Sequence, residues 1–418
     1  MAGAANFFVL SLLLVATTVS SLQQVQGGLH VDAEDISKTI KSKNGVVIDC
    51  VYIDKQPTLK HPLFKDHKVQ VYKDSAATAR PIGRRLGGFV DGTRAPPVMQ
   101  VEQEWRRSGS CPVGTVPILR LPKTAATNLT VIPSLSPSGL PHRDNAMLDD
   151  STNSPRNEFA VAYGLDGPYH GASAFLPSWR PTKIEPQELS ATSLLIAATV
   201  DRDWISDHPR GTFPPDTTNQ IAVGLAASEY TFGNGDPNLY VYYTTDDGKS
   251  FCVNLDCPGF VQTSNEIALG TSFINGGSSK TYDGVPYVSV SIHIVPGQQQ
   301  WWVTVNDTAI GYFPQLLFPT SFPESFLNQV GGIVHDTRPN GVHTDTVMGN
   351  GRLPDDGGAA VVKAYLTVAA DGTYKKDMPV KFGVTAPKCY NAAVLGENLD
   401  LPGYDIAYGG PGGSGCDM

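Results

Sequence analysis

The sequence has few charged residues, and that scarcity excludes several kinds of protein. Asp, Glu, Lys and Arg make up 17% of its 418 residues, against a usual share of about 25%. The 31 basic and 40 acidic residues leave a net charge of −9, with no polybasic tract. A coiled coil and a mostly disordered chain are therefore excluded, and no electrostatic argument favours nucleic-acid binding.

Long apolar runs are lacking as well. The run over residues 7–19 (FFVLSLLLVATTV) is too short for a membrane-spanning helix, and small residues follow it at Ser20, Ser21 and Gly27. This arrangement is typical of a secretory signal, although no Lys or Arg precedes it. We predict a signal peptide over residues 1–27, a secreted or vacuolar protein, and no membrane association once the signal is removed.

The motifs of several common enzymes and metal sites are missing too. The chain has no CxxC, no HExxH, no GxSxG and no complete phosphate-binding loop. No histidine lies near enough to the six cysteines to suggest zinc, so we predict no metal and no cofactor. An even number of cysteines in an exported chain favours three disulfides. Asn128 and Asn306 begin sequons, which predicts two glycosylation sites.

Glycine and proline, by contrast, are plentiful, at 42 + 32 = 74 of the 418 residues. From residue 158 onward, short runs rich in Val, Ile, Tyr and Phe alternate with Asn-Gly and Asp-Gly pairs, which is typical of an antiparallel sandwich or barrel. The alternation in YVSVSIHIV (287–295) predicts a strand with one buried face. IALGTSFI (267–274) predicts another strand, and residues 37–42 predict a short helical start.

Charge divides the chain into two parts. Residues 28–122 hold 15 basic and 10 acidic residues, a net charge of +5, whereas residues 123–418 hold 16 and 30, a net charge of −14. Residues 123–157 are rich in Ser, Pro, Thr and Asn, which predicts an exposed linker. Opposite net charges favour docking of the first part on the second, in a contact that salt weakens.

Six long blocks occur in an order that matches one protein family. They are KTIKSKNGVVIDCVYIDKQPTLKHPLFKDHKVQ (38–70), CPVGTVPILR (111–120), HGASAFLPSW (170–179), FCVNLDCPGFVQTSNEIALGTSF (251–273), RPNGVHTDTVMGNG (338–351) and YGGPGG (408–413). These blocks resemble the neprosin family, plant secreted glutamic peptidases that cleave at proline. The resemblance implies an all-β fold, an antiparallel β-sandwich with a concave groove over residues 158–418. A small α+β prosegment, the activation peptide, precedes it over residues 28–122.

Active members of the family have two glutamates that face each other in the groove. One carboxylate takes a proton from the attacking water, and the other, protonated, stabilises the developing oxyanion. The blocks NQIAVGL (219–225) and GGIV (331–334) match the family's two glutamate blocks, with Ala222 and Ile333 at the glutamate positions. The resemblance therefore implies that both catalytic carboxylates are absent.

Neighbouring residues offer no simple replacement for these carboxylates. Glu229 and Asp336 lie an odd number of residues away, so their side chains point to the other face of a strand. Gln220 and Gln329 have the right parity, but an amide cannot act as a general base. The candidates for lining a peptide-binding groove, amides and aromatic rings, are Gln220, Gln329, Tyr240, Tyr242 and Trp179.

The resemblance also implies how the cysteines pair. Cys252 and Cys257 bracket a short loop, and they match a pair in the family. A second family pair lies at the C-terminus, and the two remaining cysteines fall in the prosegment. The predicted disulfides are Cys252–Cys257, Cys389–Cys416 and Cys50–Cys111.

The sequence leaves three functions open. The first is an inactive peptidase homologue that binds a proline-containing peptide or a cell-wall polymer in the groove, with its own prosegment as an intramolecular partner. The second is an active glutamic-type prolyl endopeptidase that uses non-standard residues. The third is a carbohydrate-binding or structural extracellular protein. The absence of both carboxylates favours the first.

Overall fold

The computed structural model describes most of the chain outside its N-terminal region and several loops. The described residues are 31–73, 102–120, 156–164, 167–199, 217–245, 250–273, 285–295, 297–318, 322–339, 342–371, 373–375 and 381–416. The predicted signal peptide, nearly all of the predicted linker and the sequon at Asn128 lie outside these residues.

The described residues form antiparallel strands with few helices. The strands are β1 Ile36–Lys41, β2 Val47–Tyr52, β3 Thr115–Leu119, β4 Arg156–Gly164, β5 Gly171–Pro177, β6 Leu189–Thr199, β7 Thr217–Ser228, β8 Asn234–Thr245, β9 Ser250–Val253, β10 Val261–Gln262, β11 Tyr287–Ile294, β12 Gln300–Val305, β13 Thr308–Pro314, β14 Leu327–Asp336, β15 Ala360–Val368, β16 Tyr374–Lys375, β17 Lys381–Val384, β18 Asn391–Glu397 and β19 Tyr404–Gly409. The α-helix is α1 Glu229–Phe232, and the 3₁₀ helices are Ala33–Asp35, Ile53–Lys55, Pro57–Lys60, Pro62–Phe64, Glu104–Ser108, Gln315–Leu317, Pro354–Asp356 and Ser414–Cys416. No helix among the described residues is long and apolar enough to cross a membrane.

These strands build three sheets. The described part of the predicted prosegment, which we go on calling the prosegment, forms a three-stranded sheet in the order β1-β2-β3. A seven-stranded sheet has the order β17-β4-β14-β6-β7-β8-β9. A nine-stranded sheet has the order β10-β13-β12-β11-β5-β15-β19-β18, with β16 paired to β15. The predicted antiparallel β-sandwich is thereby confirmed.

The core lies between the two large sheets. Every second residue of their inner strands points into this space, and most of these residues are apolar. Leu194 and Ile196 of β6 and Ile221 and Val223 of β7 point from the seven-stranded sheet into the main apolar cluster. Val290 of β11 faces them from the nine-stranded sheet, in the same cluster. Each such aliphatic side chain, fully buried, contributes about 1.5–3 kcal/mol to folding. The residues between them point outward, and those of the seven-stranded sheet form the candidate site.

Two glutamine side chains attach the prosegment to the sandwich. The Gln56 amide donates to the Gln262 carbonyl at 3.0 Å and accepts from the Gln262 N–H at 2.8 Å. The Gln103 amide does the same with Ala268, at 2.8 and 2.7 Å. Each amide pairs with the N–H and C=O of one residue, as a neighbouring strand would. All four groups are buried, so these pairs leave no polar group unsatisfied.

A segment that we call the strap, residues 64–73, lies on the outer face of the nine-stranded sheet. The hydroxyl of Tyr72 lies 3.0 Å from Nε2 of His293, and its ring packs on Trp302 with centroids 5.1 Å apart. The hydroxyl of Tyr312 accepts from the Gln70 N–H at 2.9 Å and lies 2.7 Å from a ring nitrogen of His67. The described prosegment therefore packs against the nine-stranded sheet and residues 254–273.

The strap explains why one sequence prediction is wrong. The alternation in β11 predicts one buried and one solvated face, yet Ser291 and His293, on its polar face, are buried as well. The polar side chains of β11 are consequently part of an interface. The local sequence pattern shows that this face is polar. It does not show that the strap, a segment distant in sequence, covers the face.

Two predicted elements differ from the structure. Residues 36–41 form strand β1 and not a helix, since the Asn44-Gly45 turn folds this segment back on β2. Residues 267–273 form no regular strand: Gly270 has φ +77°, and the segment makes only isolated bridges at Ser272 and Phe273. A left-handed residue interrupts the pleat that strand pairing needs.

All three predicted disulfides are confirmed. They are Cys50–Cys111, Cys252–Cys257 and Cys389–Cys416. The first closes the prosegment sheet, and the third ties the C-terminal tail to the segment before β18. No cysteine among the described residues is free.

Candidate functional site

We call the outer face of the seven-stranded sheet, the one turned away from the main core, the site face. Strand register defines its rows. Gln329 of β14 pairs with Leu195 of β6, and Leu195 pairs with Ala222 of β7. Ala222 pairs in turn with Tyr242 of β8. These four side chains form one row across the sheet, with Gln329 and Ala222 on either side of Leu195.

Ile333 lies on the same face but in a different row. It pairs with Ala191 of β6, and Ala191 pairs with Ala226 of β7. Ile333 is therefore level with Ala226, four residues or about 13 Å along the strand from Ala222. Gln329 is separated from Ala222 by only two strand spacings, about 10 Å. For two side chains that share one water, the register favours positions 222 and 329 over 222 and 333.

The structure brings together four of the five predicted groove residues. Tyr240, Tyr242, Gln220 and Gln329 all belong to the site face by register. Trp179 does not, because it follows the end of β5 and packs against the main core. It lines a small cavity of about 10 Å³ with Pro177, Pro181, Ser190 and Leu225 among others, which has room for a single water.

The site face is apolar and buried. Ala222 and Ile333 have exposed fractions of 0% and 1%. On the described strands β4, β14, β6 and β7, no aspartate or glutamate occupies this face. The apolar cluster that contains both positions consists of Phe159, Val161, Tyr163, Leu189, Ala191, Leu195, Ala197, Ala222, Ala226, Tyr240, Tyr242, Val253, Leu327 and Ile333.

Several polar groups interrupt this apolar surface, and three of them, on Gln329, Ser193 and Tyr240, lie in the two rows at and next to Ala222. Both the oxygen and the nitrogen of the buried Gln329 amide have no hydrogen-bond partner among the described residues. In the next row, Ser193 and Tyr240 face each other across Gly224, without a well-formed hydrogen bond. Gly224 leaves space for the Tyr240 ring, which a Cβ at that position would approach to 2.9 Å. Burial raises the pKa of the Tyr240 hydroxyl, so it stays protonated.

Buried carboxylates lie on the other face of the same strands. Glu158 of β4 and Asp336 of β14 approach His343, and ligand atoms of the three residues lie within 4.8 Å of one another. Glu158 accepts from the Thr385 hydroxyl and lies 3.3 Å from the His343 ring. Asp336 accepts from the backbone N–H groups of Arg338 and Thr344. Such ligand types suit a cation, but these bonds already give both carboxylates a role in holding the loop after β14.

Glu188, just before β6, holds the same loop. Its carboxylate accepts from the Thr337 N–H at 3.0 Å and from the Thr337 hydroxyl at 2.9 Å. It also accepts from the hydroxyls of Thr344, at 2.5 Å, and Thr346. Sequence reasoning missed Glu158 and Glu188 because their partners are 149–227 residues away. The one signal present was the density of Thr and His in RPNGVHTDTVMGNG (338–351).

The sequon at Asn306 occupies the tight turn between β12 and β13. The side-chain oxygen of Asn306 accepts from the Ser289 N–H at 3.1 Å, and its nitrogen is buried. A glycan is attached through that nitrogen. The side chain would have to turn outward and lose its bond to Ser289 before a sugar could be accommodated.

Comparison with known protein families gives two matches. Residues 200–411, about half of the chain, match the family model described as Neprosin. Residues 39–163 match the one described as Neprosin activation peptide. The second match ends inside β4, so it runs from the prosegment sheet into the seven-stranded sheet.

Comparison with solved structures gives similarities of low score. Scytalido-glutamic peptidase, crystallised with a peptide-based transition-state analogue, is 9% identical, with 61% of this chain and 100% of that chain covered and a TM-score of 0.29. SCP-B, an eqolisin-family peptidase in complex with the tripeptide Ala-Ile-His, has 9% identity, the same coverage and a TM-score of 0.28. A sialidase CBM40 from Ruminococcus gnavus has 11% identity, coverage of 56% and 92%, and a TM-score of 0.20. Scores this low support no comparison of individual residues.

Proposed function

Because the chain belongs to the neprosin family and has its peptidase scaffold, we propose that it is a secreted pseudoenzyme. In this proposal the site face binds proline-containing peptides and does not hydrolyse them. The observation that supports it is the chemistry of positions 222 and 333, where Ala and Ile lie in one apolar cluster. An alkyl side chain neither accepts nor donates a proton, so neither position supplies the acid–base step of hydrolysis.

Position 329 supports the same proposal. Gln329 is level with Ala222, and an amide cannot act as a general base. A catalytic pair made from position 222 with either 329 or 333 thus lacks both carboxylates. Export is supported separately by the activation-peptide match and by three disulfides, which persist in oxidising compartments.

The first test is an activity assay on the purified full-length protein. Incubation with proline-containing peptides between about pH 3 and 6, the range in which carboxylate pairs work, is expected to leave the peptides intact. The mass of the protein itself should also stay constant in acid. Peptide cleavage, or conversion to a shorter form in the presence of inhibitors of other protease classes, would contradict the proposal.

The second test restores the carboxylates. The register predicts that Ala222→Glu with Gln329→Glu gains proline-directed cleavage in acid, because the two side chains flank Leu195 in one row. Ala222→Glu with Ile333→Glu tests the pair that the sequence motif identifies. Ala226→Glu with Ile333→Glu is the matched control, since this pair is equally level but lies in another row. If all three double variants fold and remain inactive, the site face is not a former catalytic face.

A further inference from the structure

Gln329 is a residue of the site face whose amide has no hydrogen-bond partner at either end among the described residues. Its side chain is nevertheless fully buried on β14, an inner strand of the sheet. Buried amides are almost always satisfied, because removing an amide from water without a new partner is costly. An unsatisfied amide at the level of Ala222 is therefore informative about what this face binds.

The same molecule shows what a buried glutamine does when its partner is present. Gln56 and Gln103 each form two reciprocal hydrogen bonds with the backbone N–H and C=O of one residue, at 2.7–3.0 Å. In both cases the amide takes the place of a neighbouring strand. A glutamine amide presents one acceptor and a donor side by side, which matches the free edge of one residue in an extended chain.

We propose that Gln329 is a third clamp of this kind, whose partner is one residue of an extended peptide bound on the site face. The inference rests on the proposed function and adds which atoms form hydrogen bonds with the ligand. Leu195 and Ala222, beside it in the row, leave an apolar floor for the ligand's side chains. Ser193 and Tyr240 in the next row supply two hydroxyls for a second peptide group.

This clamp determines where a proline in the ligand can lie. The clamped residue must donate its backbone N–H to the Gln329 oxygen, and proline has no N–H. Proline is therefore excluded from the clamped position and accepted at its neighbours, where its ring contacts the apolar row. The site face should therefore select ligands in which proline is adjacent to the residue that Gln329 binds, and is not that residue itself.

The test is a binding measurement with alanine-based hexapeptides that contain one proline, combined with N-methylation of each backbone nitrogen in turn. The full-length protein is used, and samples are equilibrated for long periods because the site face is buried in the free chain. One N-methyl position is expected to weaken binding about tenfold or more, by removing one bond of the clamp. In Gln329→Met, methylation of that nitrogen should no longer change the affinity. The affinity of the variant for the unmethylated parent peptide should fall by a similar factor. Leu195→Met, in the same row, is the matched control and should keep the N-methyl sensitivity.

Stability provides a second readout. Gln329→Met removes an unsatisfied buried amide and keeps its volume, so the melting temperature of the free protein should rise. A fall would show that the amide has a partner in the free protein and would overturn the inference. Unchanged peptide affinity in Gln329→Met would overturn it too, while leaving the proposed function intact. If none of the peptides binds the wild-type protein, the proposed function itself fails.

Discussion

Asp256 lies in the loop that the Cys252–Cys257 disulfide closes, and burial raises the pKa of its carboxyl from 3.8 to about 7. A folded-state pKa above the unfolded one means that the folded protein holds the proton more tightly. The carboxyl therefore destabilises the fold increasingly as pH rises from about 4 to 7, and fully above pH 7.

Asp256→Asn should accordingly stabilise the protein in mild base and not in acid. With allowance for partial exposure, the gain in unfolding free energy is about 2 kcal/mol at pH 8 and close to zero at about pH 4. Urea unfolding at the two pH values measures it. Asp66→Asn, at an exposed position of the strap, is the control and should leave the unfolding free energy unchanged at both pH values. An equal gain at both pH values would point to a cause other than titration.

The sequence predicted which of the strand residues share a face, but it did not predict which of them lie in the same row. A family motif identifies positions 222 and 333 through their neighbours, and parity along a strand assigns Gln220 and Gln329 to the same face. In the structure, however, the residue level with Ala222 is Gln329. This position is determined by the register of β6 with both β7 and β14. Register between strands distant in sequence is set by tertiary packing, which no local pattern records.

At the scale of elements, the loop after β14 depends on the buried Glu188 carboxylate. Glu188→Ala would leave the Thr337 N–H and the hydroxyls of Thr344 and Thr346 without their acceptor. We expect a loss of about 3 kcal/mol in unfolding free energy and faster proteolysis within residues 337–347. Glu185→Ala is the matched control: its ion pairs with Lys183 and Arg338 are partly exposed, so its loss should be below about 1 kcal/mol.

If Glu188→Ala and Glu185→Ala cost the same, the four hydrogen bonds to Glu188 do not hold the loop. Limited proteolysis followed by mass mapping separates the two cases, because it reports on the loop itself. An unchanged cleavage pattern in Glu188→Ala would contradict the assignment.

The strap makes stability depend on pH through His293. Burial lowers the pKa of this ring from 6.5 to about 4. The groups that face it are Tyr72 of the strap, Ser291 of β11 and Trp302 of β12, none of them charged. The folded protein therefore holds the neutral ring, and this stabilisation, present above about pH 6.5, is lost as pH falls to about 4.

His293→Gln should flatten this dependence. The wild-type protein is expected to lose about 3 kcal/mol of unfolding free energy between pH 6.5 and 4 through His293. Denaturant unfolding across that range measures the slope for both proteins. Burial also lowers the pKa of His67, so a smaller slope of the same sign remains in the variant. Parallel curves would show that His293 does not titrate with the strap.

Strands were predictable where short runs rich in Val, Tyr and Trp lie between turn pairs, as in β8 and β12. The prediction failed where another segment decides the local structure. Residues 36–41 have no strong β pattern but complete the prosegment sheet by pairing with β2. The sequence of residues 267–273 predicts a strand. In the structure, however, the backbone of Ala268 forms its hydrogen bonds with the Gln103 side chain and not with a neighbouring strand.

For the molecule as a whole, charge predicts a salt-sensitive contact between prosegment and sandwich, and the described contacts are of another kind. They are the Gln56 and Gln103 pairs, apolar packing around Trp105, and strap contacts. The ion pair described across this boundary, Arg106–Glu266, is 3.7 Å long and partly exposed. Amide pairs and apolar packing are not screened by salt.

The prosegment should consequently stay bound after the linker is cut. When an added protease nicks the chain within residues 123–155, the two parts are expected to coelute in gel filtration at neutral pH, at both low salt and about 1 M salt. Gln56→Ala with Gln103→Ala should release the prosegment from the nicked protein. Release of the wild-type fragment by salt alone would restore the electrostatic account.

The apolar filling of positions 222 and 333 has a consequence for descent. A glutamate that reappears at either position alone enters a cluster with Phe159, Leu195 and Ala191 around it and suffers the desolvation of a buried carboxyl. Peptide hydrolysis needs both members of the pair, so neither single reversion brings activity to offset that loss. Under the proposed function, a return to two carboxylates at these positions passes through one destabilised and inactive single variant, whichever position changes first, so the loss of catalysis is hard to reverse.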